Sequence, residues 1–493
     1  AAIVRFASIT KASIWHDEGF TLMLSGRGPL DIWAGSARDV HPPLYYELLH
    51  YWMNLFGRSV LSARGLSAIA GIATIYVGYR LIRHILNRGA ATVSLMILAI
   101  APMIVRYSQE ARMYGVLGLW LVSATYVLLL ALEHPRQTKY WILYAVLMAA
   151  GLYTHYFTLF ALAAHWVYLL VQTTPNHWKL GKTSWLTKEW WFTNLAIVVF
   201  WLPWLPSFIA QFTRGQGIGW ISLITEMTLP GGIWQDLTFT DGGQLPGFLF
   251  YGVPALLLAS VCYMVWQYRK KTPQVELIFF YSIVPLALTL LVSIVKPIYQ
   301  DRYLVFATYG LYLLIGMAIY RLIQMNRFAG TGALLALLGI LAIGNINVVR
   351  QQSHTMATVG NYVNQNYQSG DSIVSAELYT YFDFSYYCTN CLDTRNIQLN
   401  QATPAIYPSP VTTLRLNTTA GRPNGYGESS LLQDRADNIY LDDWNTLQPS
   451  THRIWVVGKP GDQKYWKTIP ANWKPTTNEL TTNSSAVRMY ILP

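Results

Sequence analysis

Charge is scarce in this chain: Asp, Glu, Lys and Arg make up 12% of its 493 residues, against 53% hydrophobic ones. That balance excludes an ordinary soluble protein, whose core needs far less apolar surface, and implies a polytopic membrane protein with soluble parts. The net charge of +11 is not gathered into a basic stripe. Lys and Arg are scattered between apolar runs, which argues against a nucleic-acid partner. No nucleotide-binding loop is evident, in keeping with a substrate that carries no nucleotide. Internal repeats are also absent, which disfavours a transporter built from paired repeats with broken helices. The cysteines are three. Cys262 lies in an apolar run, while Cys388 and Cys391 form a C-x-x-C that reads most simply as a local disulfide in an oxidising compartment.

What the chain does contain is apolar sequence long enough, or nearly long enough, to cross a bilayer. Such runs fall at 59–80, 90–107, 113–132, 141–153, 157–173, 190–209, 246–267, 276–295, 303–322 and 332–349. Ala1–Thr10 is too short to span and reads as the end of a truncated first helix, for about eleven transmembrane helices in all. The loops between them alternate in basic charge. Arg80, Arg83, Arg88, Arg136, Lys139, Lys179, Lys182, Lys188, Arg269, Lys270, Lys271, Arg321 and Arg327 fall in one set, and only Arg112, Arg214, Lys296 and Arg302 in the other. The positive-inside bias places the first set in the cytoplasm. A first loop at 11–58, the turns near 108–114, 154–156 and 295–302, a loop at 210–245 and the whole tail are then external.

This predicts a membrane domain over 1–349 and a soluble extracytoplasmic α/β domain over 350–493. In the tail a helix at about 352–367 is expected to lead through Gly370-Asp371 into a strand at Ser372–Ser375. Further strands are expected at Arg453–Val457 and Val487–Ile491, each bounded by Gly, Pro or Asn.

The external loops hold most of the unusual polar residues. They contain Asp17-Glu18, His41-Pro42-Pro43-Leu44, Gln109-Glu110-Ala111-Arg112-Met113-Tyr114, Thr154-His155-Tyr156 and Asp301-Arg302-Tyr303. Carboxylates beside hydrocarbon are costly and need a partner or a task. Each group also has a purely structural reading. Asp17-Glu18 can satisfy free amides at a helix start, and Pro42-Pro43 can open an amphipathic helix whose apolar face, Leu44, Leu48, Leu49, Trp52 and Leu55, lies on the membrane. Arg64 can snorkel. Glu110 and Arg112 can form an ion pair on a tight turn, His155 can be a core histidine, and Asp301-Arg302-Tyr303 can mark the membrane boundary.

Taken together, Asp17-Glu18, the His41–Tyr46 segment, Gly57, Arg64 and Tyr107–Tyr114 resemble the bacterial membrane glycosyltransferases related to protein O-mannosyltransferases and the lipid A aminoarabinose transferase. The resemblance implies a C-type glycosyltransferase fold in the bacterial plasma membrane, with the active site and tail on the extracytoplasmic side. It also implies a polyprenyl-phosphate-linked sugar donor and transfer with inversion to a lipid, glycan or protein acceptor. An inverting displacement needs one carboxylate to take the acceptor's proton, and Asp17 is assigned as that base, with Glu18 beside it. A lipid phosphate leaves most readily toward positioned cations. Arg112, Arg302 and Arg64, with Tyr303, are assigned to it, and His41, Glu110, Tyr114, His155 and Trp220 to the substrate. Family members commonly carry a Lys two residues after the HPPL leucine; here that position is Tyr46. No metal ligand is assigned, although two carboxylates and two external histidines leave room for a divalent ion. Two other readings stay open, a flippase for a lipid-linked sugar and a non-catalytic accessory subunit.

Overall fold

The computed structural model describes residues 1–172, 187–214, 221, 231–239, 247–269, 271–351, 355–375, 378–388, 411–414, 440–441, 444, 452–462 and 466–493. By its internal contacts the chain divides into two units. One comprises Ala1–Ser8 with Arg64–Arg350, the other Ile9–Ala63 with Gln351–Pro493. The first loop, assigned from sequence to the membrane domain, thus groups with the tail.

The described elements of the first unit are all helices, and every apolar run read from the sequence is helical over most of its described residues, 90–107 as two helices. Among the described residues six helices are long and apolar enough to cross a membrane: Val60–Ile85, Tyr114–Glu133, Lys188–Thr213, Gln274–Ser293, Asp301–Met325 and Arg327–Arg350. Arg88–Ile100 and Pro102–Ser108 make a seventh if their 58° bend lies within one span. The expected count of about eleven included shorter pieces. Thr138–Leu152 and Thr158–Gln172 have 15 residues each, a rise of about 22 Å against a hydrocarbon core of about 30 Å. The bend has a local cause. Pro102 pushes the residue before it out of the helical region, and Ala101 takes φ −62°, ψ 114°. The half-helix after the bend delivers Arg106 and Tyr107 to the Gln109–Tyr114 turn.

At the other end of that turn, Gly115 meets the backbone of the Val60–Ile85 helix, where an added Cβ would lie 2.8 Å from the Ser67 carbonyl oxygen. The absence of a side chain lets the two helices touch there. The Ser67 hydroxyl then reaches across to donate to the Arg112 carbonyl at 2.9 Å.

Among the described residues the second unit joins three helices of the first loop, His16–Ser25, Pro29–Arg38 and Leu44–Phe56, to the tail helices Met356–Asn366 and Leu378–Tyr387 and a six-stranded sheet. Its strands are β1 (Ser372–Ser375), β2 (Val411–Leu414), β3 (Tyr440–Leu441), β4 (Arg453–Gly458), β5 (Lys474–Thr481) and β6 (Ala486–Ile491), in the order β3-β2-β1-β4-β6-β5. The first four run parallel, and β6 is antiparallel to β4 and β5. β1 and β4 are buried almost throughout around the apolar runs Ile373-Val374 and Ile454-Trp455-Val456-Val457, as central strands are. β5 alternates between exposed and half-buried residues along its polar length, as an edge strand does. Val374, Ile454, Val456, Trp444, Trp473 and Tyr490 form the core.

The helix Leu44–Phe56 starts after Pro42-Pro43 as expected, but its buried face is Tyr45, Tyr46, Leu49, His50 and Met53. Of the face read from sequence as lying on the membrane, Leu49 is buried, Leu44, Leu48 and Trp52 are half-buried, and Leu55 is exposed beside Tyr51 and Phe56. Cys388 is disulfide-bonded, Cys262 is a free thiol, and Cys391 lies outside the described residues.

Candidate active site

In the membrane unit the site is built on the Gln109–Tyr114 turn. The Gln109 amide donates to the carbonyls of Val4 and Arg5 at 3.2 and 3.0 Å and to the Ser8 hydroxyl at 3.1 Å, tying the helix Ala2–Phe6 to the turn. Glu110 is buried, and its carboxylate receives the Arg106 guanidinium at 2.8 Å, one helical turn earlier. Glu110, weighed from the sequence as a structural partner of Arg112, thus holds Arg106. Arg64, Arg112, Tyr114 and His155 are all buried, and a buried guanidinium is strongly placed for an anion because little water screens it.

A second turn closes on the first. Tyr107 donates its hydroxyl to Asp301 at 2.7 Å, linking the bent half-helix to the turn Asp301–Leu304. Aromatic rings continue the contact: Tyr114 lies 5.4 Å from Tyr107 and 6.3 Å from Tyr303, and His155 lies 5.0 Å from Tyr303. The Arg302 guanidinium lies 5.8 Å from the ring centre of Tyr303. His155 Nδ1 accepts the Phe157 backbone N–H at 3.2 Å, so the neutral ring carries its proton on Nε2. Glu110, Arg112, Tyr114, His155, Arg302 and Tyr303 thus belong to one unit, with Tyr107 and Asp301 joining their turns.

A cavity of about 50 Å³ adjoins this cluster, lined by Asp236, Tyr299 and Asp301 and otherwise mainly by apolar side chains such as Met103, Leu286 and Leu304. Tyr299 donates to Asp236 at 3.0 Å. Burial, and then the charge of Asp301, push the Asp236 carboxyl from its ordinary 3.8 up to about 6. The folded chain therefore holds a proton that the unfolded chain releases between those values, and this contribution to stability falls as the pH rises from 3.8 to about 6. Hydrogen-exchange protection of the helix Gly231–Thr238, corrected for intrinsic rates, is expected to weaken through this window, and Asp236→Asn to flatten the dependence.

In the second unit Asp17 occupies the first turn of the helix His16–Ser25. Glu18 is fully buried and accepts the Trp15 backbone N–H at 3.4 Å, which gives it the helix-start role weighed from the sequence. The Asp17 side chain keeps 21% exposure and lies 3.9 Å from His16 Nε2. His41 faces Asp39, with Nδ1 and Oδ2 3.6 Å apart. Asp17, Glu18 and His41 therefore belong to the tail-bearing unit, whereas Arg64, Glu110, Arg112, Tyr114, His155, Arg302 and Tyr303 belong to the membrane unit. Trp220 lies outside the described residues. Among the described residues no three His, Cys, Asp or Glu side chains are grouped to hold a metal ion.

Sequence reasoning gave no role to Arg106, Asp39, Asp236 or Tyr299. Asp236 shares its loop with Glu226 and Asp241, and no feature of the sequence singles it out. Arg106 had a usable signal, its i, i+4 spacing to Glu110 at the end of an apolar run.

Residues 40–205 match the family model of dolichyl-phosphate-mannose-protein mannosyltransferase. That segment contains His41, Arg64, Glu110, Arg112, Tyr114 and His155, and leaves Asp17, Glu18, Arg302 and Tyr303 outside. No curated protein matches the chain in sequence. Two crystal structures of ArnT from Cupriavidus metallidurans are similar over nearly the full length. The apo form aligns over 99% of this chain and 96% of its own at 13% identity and a TM-score of 0.64. The form bound to undecaprenyl phosphate aligns over the same shares at 14% identity and a TM-score of 0.62. The chain thus has the C-type glycosyltransferase fold of ArnT, and over residues 40–205 it is similar to the dolichyl-phosphate-mannose-protein mannosyltransferases.

Proposed function

We propose that this protein is an integral membrane glycosyltransferase that moves a sugar from a polyprenyl-phosphate donor to an acceptor on the extracytoplasmic side of a bacterial plasma membrane. The observation that carries the reading is the full-length likeness to ArnT, one of whose structures holds undecaprenyl phosphate. The aromatic-walled turns at 108–114 and 301–304, each of which carries an arginine, support it, since guanidinium groups pair well with phosphate oxygens.

In this reading Asp17 takes the proton from the acceptor hydroxyl while its oxygen attacks the anomeric carbon. The bond from that carbon to the phosphate oxygen breaks on the opposite face, so the anomeric centre inverts. Polyprenyl phosphate leaves with the electron pair, and Arg112, Arg302 and Arg64, with Tyr303, stabilise the added charge. Glu110 holds Arg106 and so keeps the turn in shape; Tyr114, His155, His41 and Trp220 line the sugar or acceptor.

The decisive experiment incubates the purified protein with synthetic polyprenyl-phosphate sugars and follows release of polyprenyl phosphate in the presence of envelope lipids, glycans or peptides. Release coupled to a glycosylated acceptor is the expected result. Movement of the donor across vesicle membranes without any release would turn the reading to a flippase. Arg302→Ala is expected to raise the donor KM by roughly 10–100-fold, the equivalent of about 1.5–3 kcal/mol for a hydrogen bond to a charged group. An unchanged KM would remove Arg302 from the phosphate site.

A further inference from the structure

The helix that carries Asp17 is nearly engulfed. Of its ten residues, the eight from Glu18 to Ser25 are buried, and only His16 and Asp17 keep partial exposure. Such a helix is fixed by its neighbours, and part of what surrounds it comes from a segment more than 350 residues away. At Gly19 the helix crosses Leu378–Tyr387 backbone against backbone: an added Cβ would lie 2.5 Å from the Phe382 carbonyl oxygen and 2.6 Å from its carbon. Either side of this crossing, the Phe382 ring lies 5.4 Å from the His16 ring and meets the Phe20 ring edge-on at 5.6 Å.

The chain entering the helix is held to the tail as well. The Ile14 backbone N–H donates to the Tyr387 hydroxyl at 2.7 Å, and the Ala357 N–H donates to the Ser13 hydroxyl at 3.2 Å. The tail helix is itself braced. Asn364 donates its amide to the Tyr387 carbonyl at 2.7 Å, and Tyr386 donates its hydroxyl to the Arg58 carbonyl at 2.9 Å. Residues 13–20 are therefore held to the tail on both sides of the acid pair.

We propose that the tail helix Leu378–Tyr387 is a positioning element for Asp17, acting through the close crossing at Gly19 and the Phe382 ring. This rests on the reading of Asp17 as the base. The tail's part in the reaction is then to set where the proton is accepted, and Gly19 and Phe382 are positioning residues that touch no substrate.

The physical case turns on what a methyl at Gly19 does. Alanine favours a helix interior over glycine by about 1 kcal/mol, so within the isolated helix Gly19→Ala would stabilise. Against the Phe382 carbonyl there is no room, and no flexible side chain can yield, so the helices must separate by roughly 1 Å to restore an ordinary contact near 3.4 Å. Asp17, half a turn away, moves with its helix. A displacement of that size at a reacting group costs up to about 100-fold in rate.

The test is a double-mutant cycle on the full-length protein with a synthetic polyprenyl-phosphate sugar. Gly19→Ala is expected to lower kcat by about 10–100-fold with the donor KM within twofold of wild type. In an Asp17→Asn background the same substitution is expected to change the remaining rate by less than twofold, because its effect runs through the lost carboxylate. Phe382→Leu creates no overlap and covers the case in which Gly19→Ala fails to fold. It is expected to lower kcat several-fold, again only where Asp17 is present. An unchanged kcat in both single variants, an equal loss in both backgrounds, or an effect confined to donor KM would overturn the proposal. Wild-type turnover by Asp17→Asn alone would instead show that the base assignment has failed, and the proposal with it.

Discussion

Asp17→Asn is expected to lower kcat by about 10²–10⁴-fold, the range over which a positioned general base contributes, with little change in donor KM. The substitution is nearly isosteric and removes only the capacity to take a proton. Asp17 has the surroundings such a role asks for: it lies at the start of a helix, where the dipole favours a carboxylate, and its side chain keeps 21% exposure on an otherwise buried element. Glu18 provides the internal control. Its carboxylate is fully buried and accepts the Trp15 N–H, and Glu18→Gln keeps an acceptor oxygen at that point, so kcat is expected to stay within a few fold. Turnover by Asp17→Asn equal to wild type would sink the base assignment; equal losses in both variants would show the loop's shape, and not one carboxylate, to be what matters. Release of polyprenyl phosphate under single-turnover conditions separates the chemical step from product release.

The helices of the membrane unit were legible in the sequence because a membrane-crossing segment must be apolar over its whole length, a constraint no tertiary contact can relax. Their lengths were less so. The 58° bend at Ala101-Pro102 splits one apolar run into two helices, and the proline is visible in the sequence while the angle is not. The Gln109–Tyr114 turn stood out because polar residues between apolar spans need a reason to be there. Asp236 and Tyr299 did not stand out, since their pairing joins residues 63 positions apart. In the tail, β1, β4 and β6 announced themselves as short apolar runs between turn residues. β5, Lys474–Thr481, is an edge strand whose residues are mostly polar, so no apolar run marked it. The grouping of the first loop with the tail was invisible for a different reason: Gly19 is an ordinary glycine until the Phe382 backbone is set against it.

That grouping makes the stability of the tail a matter for the first loop as well, and the buried Asp371 is a point at which a single substitution reaches the tail's sheet. Its carboxylate lies just before β1, where Oδ1 meets Arg453 Nε at 3.1 Å, and Oδ2 accepts from Trp455 Nε1 at 2.8 Å and from the Gln368 N–H at 3.0 Å. Both side-chain partners belong to β4, the strand beside β1. Asp371→Ala leaves a guanidinium only 18% exposed and an indole N–H in the core without their acceptor. Removing one partner of a buried ion pair costs about 3–5 kcal/mol, and the residual solvation of Arg453 puts this case near the lower figure. For a unit of this size that corresponds to an unfolding midpoint lower by roughly 6–12 °C, to be read by thermal unfolding of the full-length protein through its tryptophan fluorescence. Asp371→Asn keeps one oxygen for Trp455 and is expected to lose about half as much. A midpoint unchanged in Asp371→Ala would mean that the pair adds nothing beyond its own desolvation. Because β1 leads into Leu378–Tyr387, and that helix lies against Gly19, transferase activity in Asp371→Ala should be lost at the temperature where the tail unfolds, with the membrane helices still folded by circular dichroism.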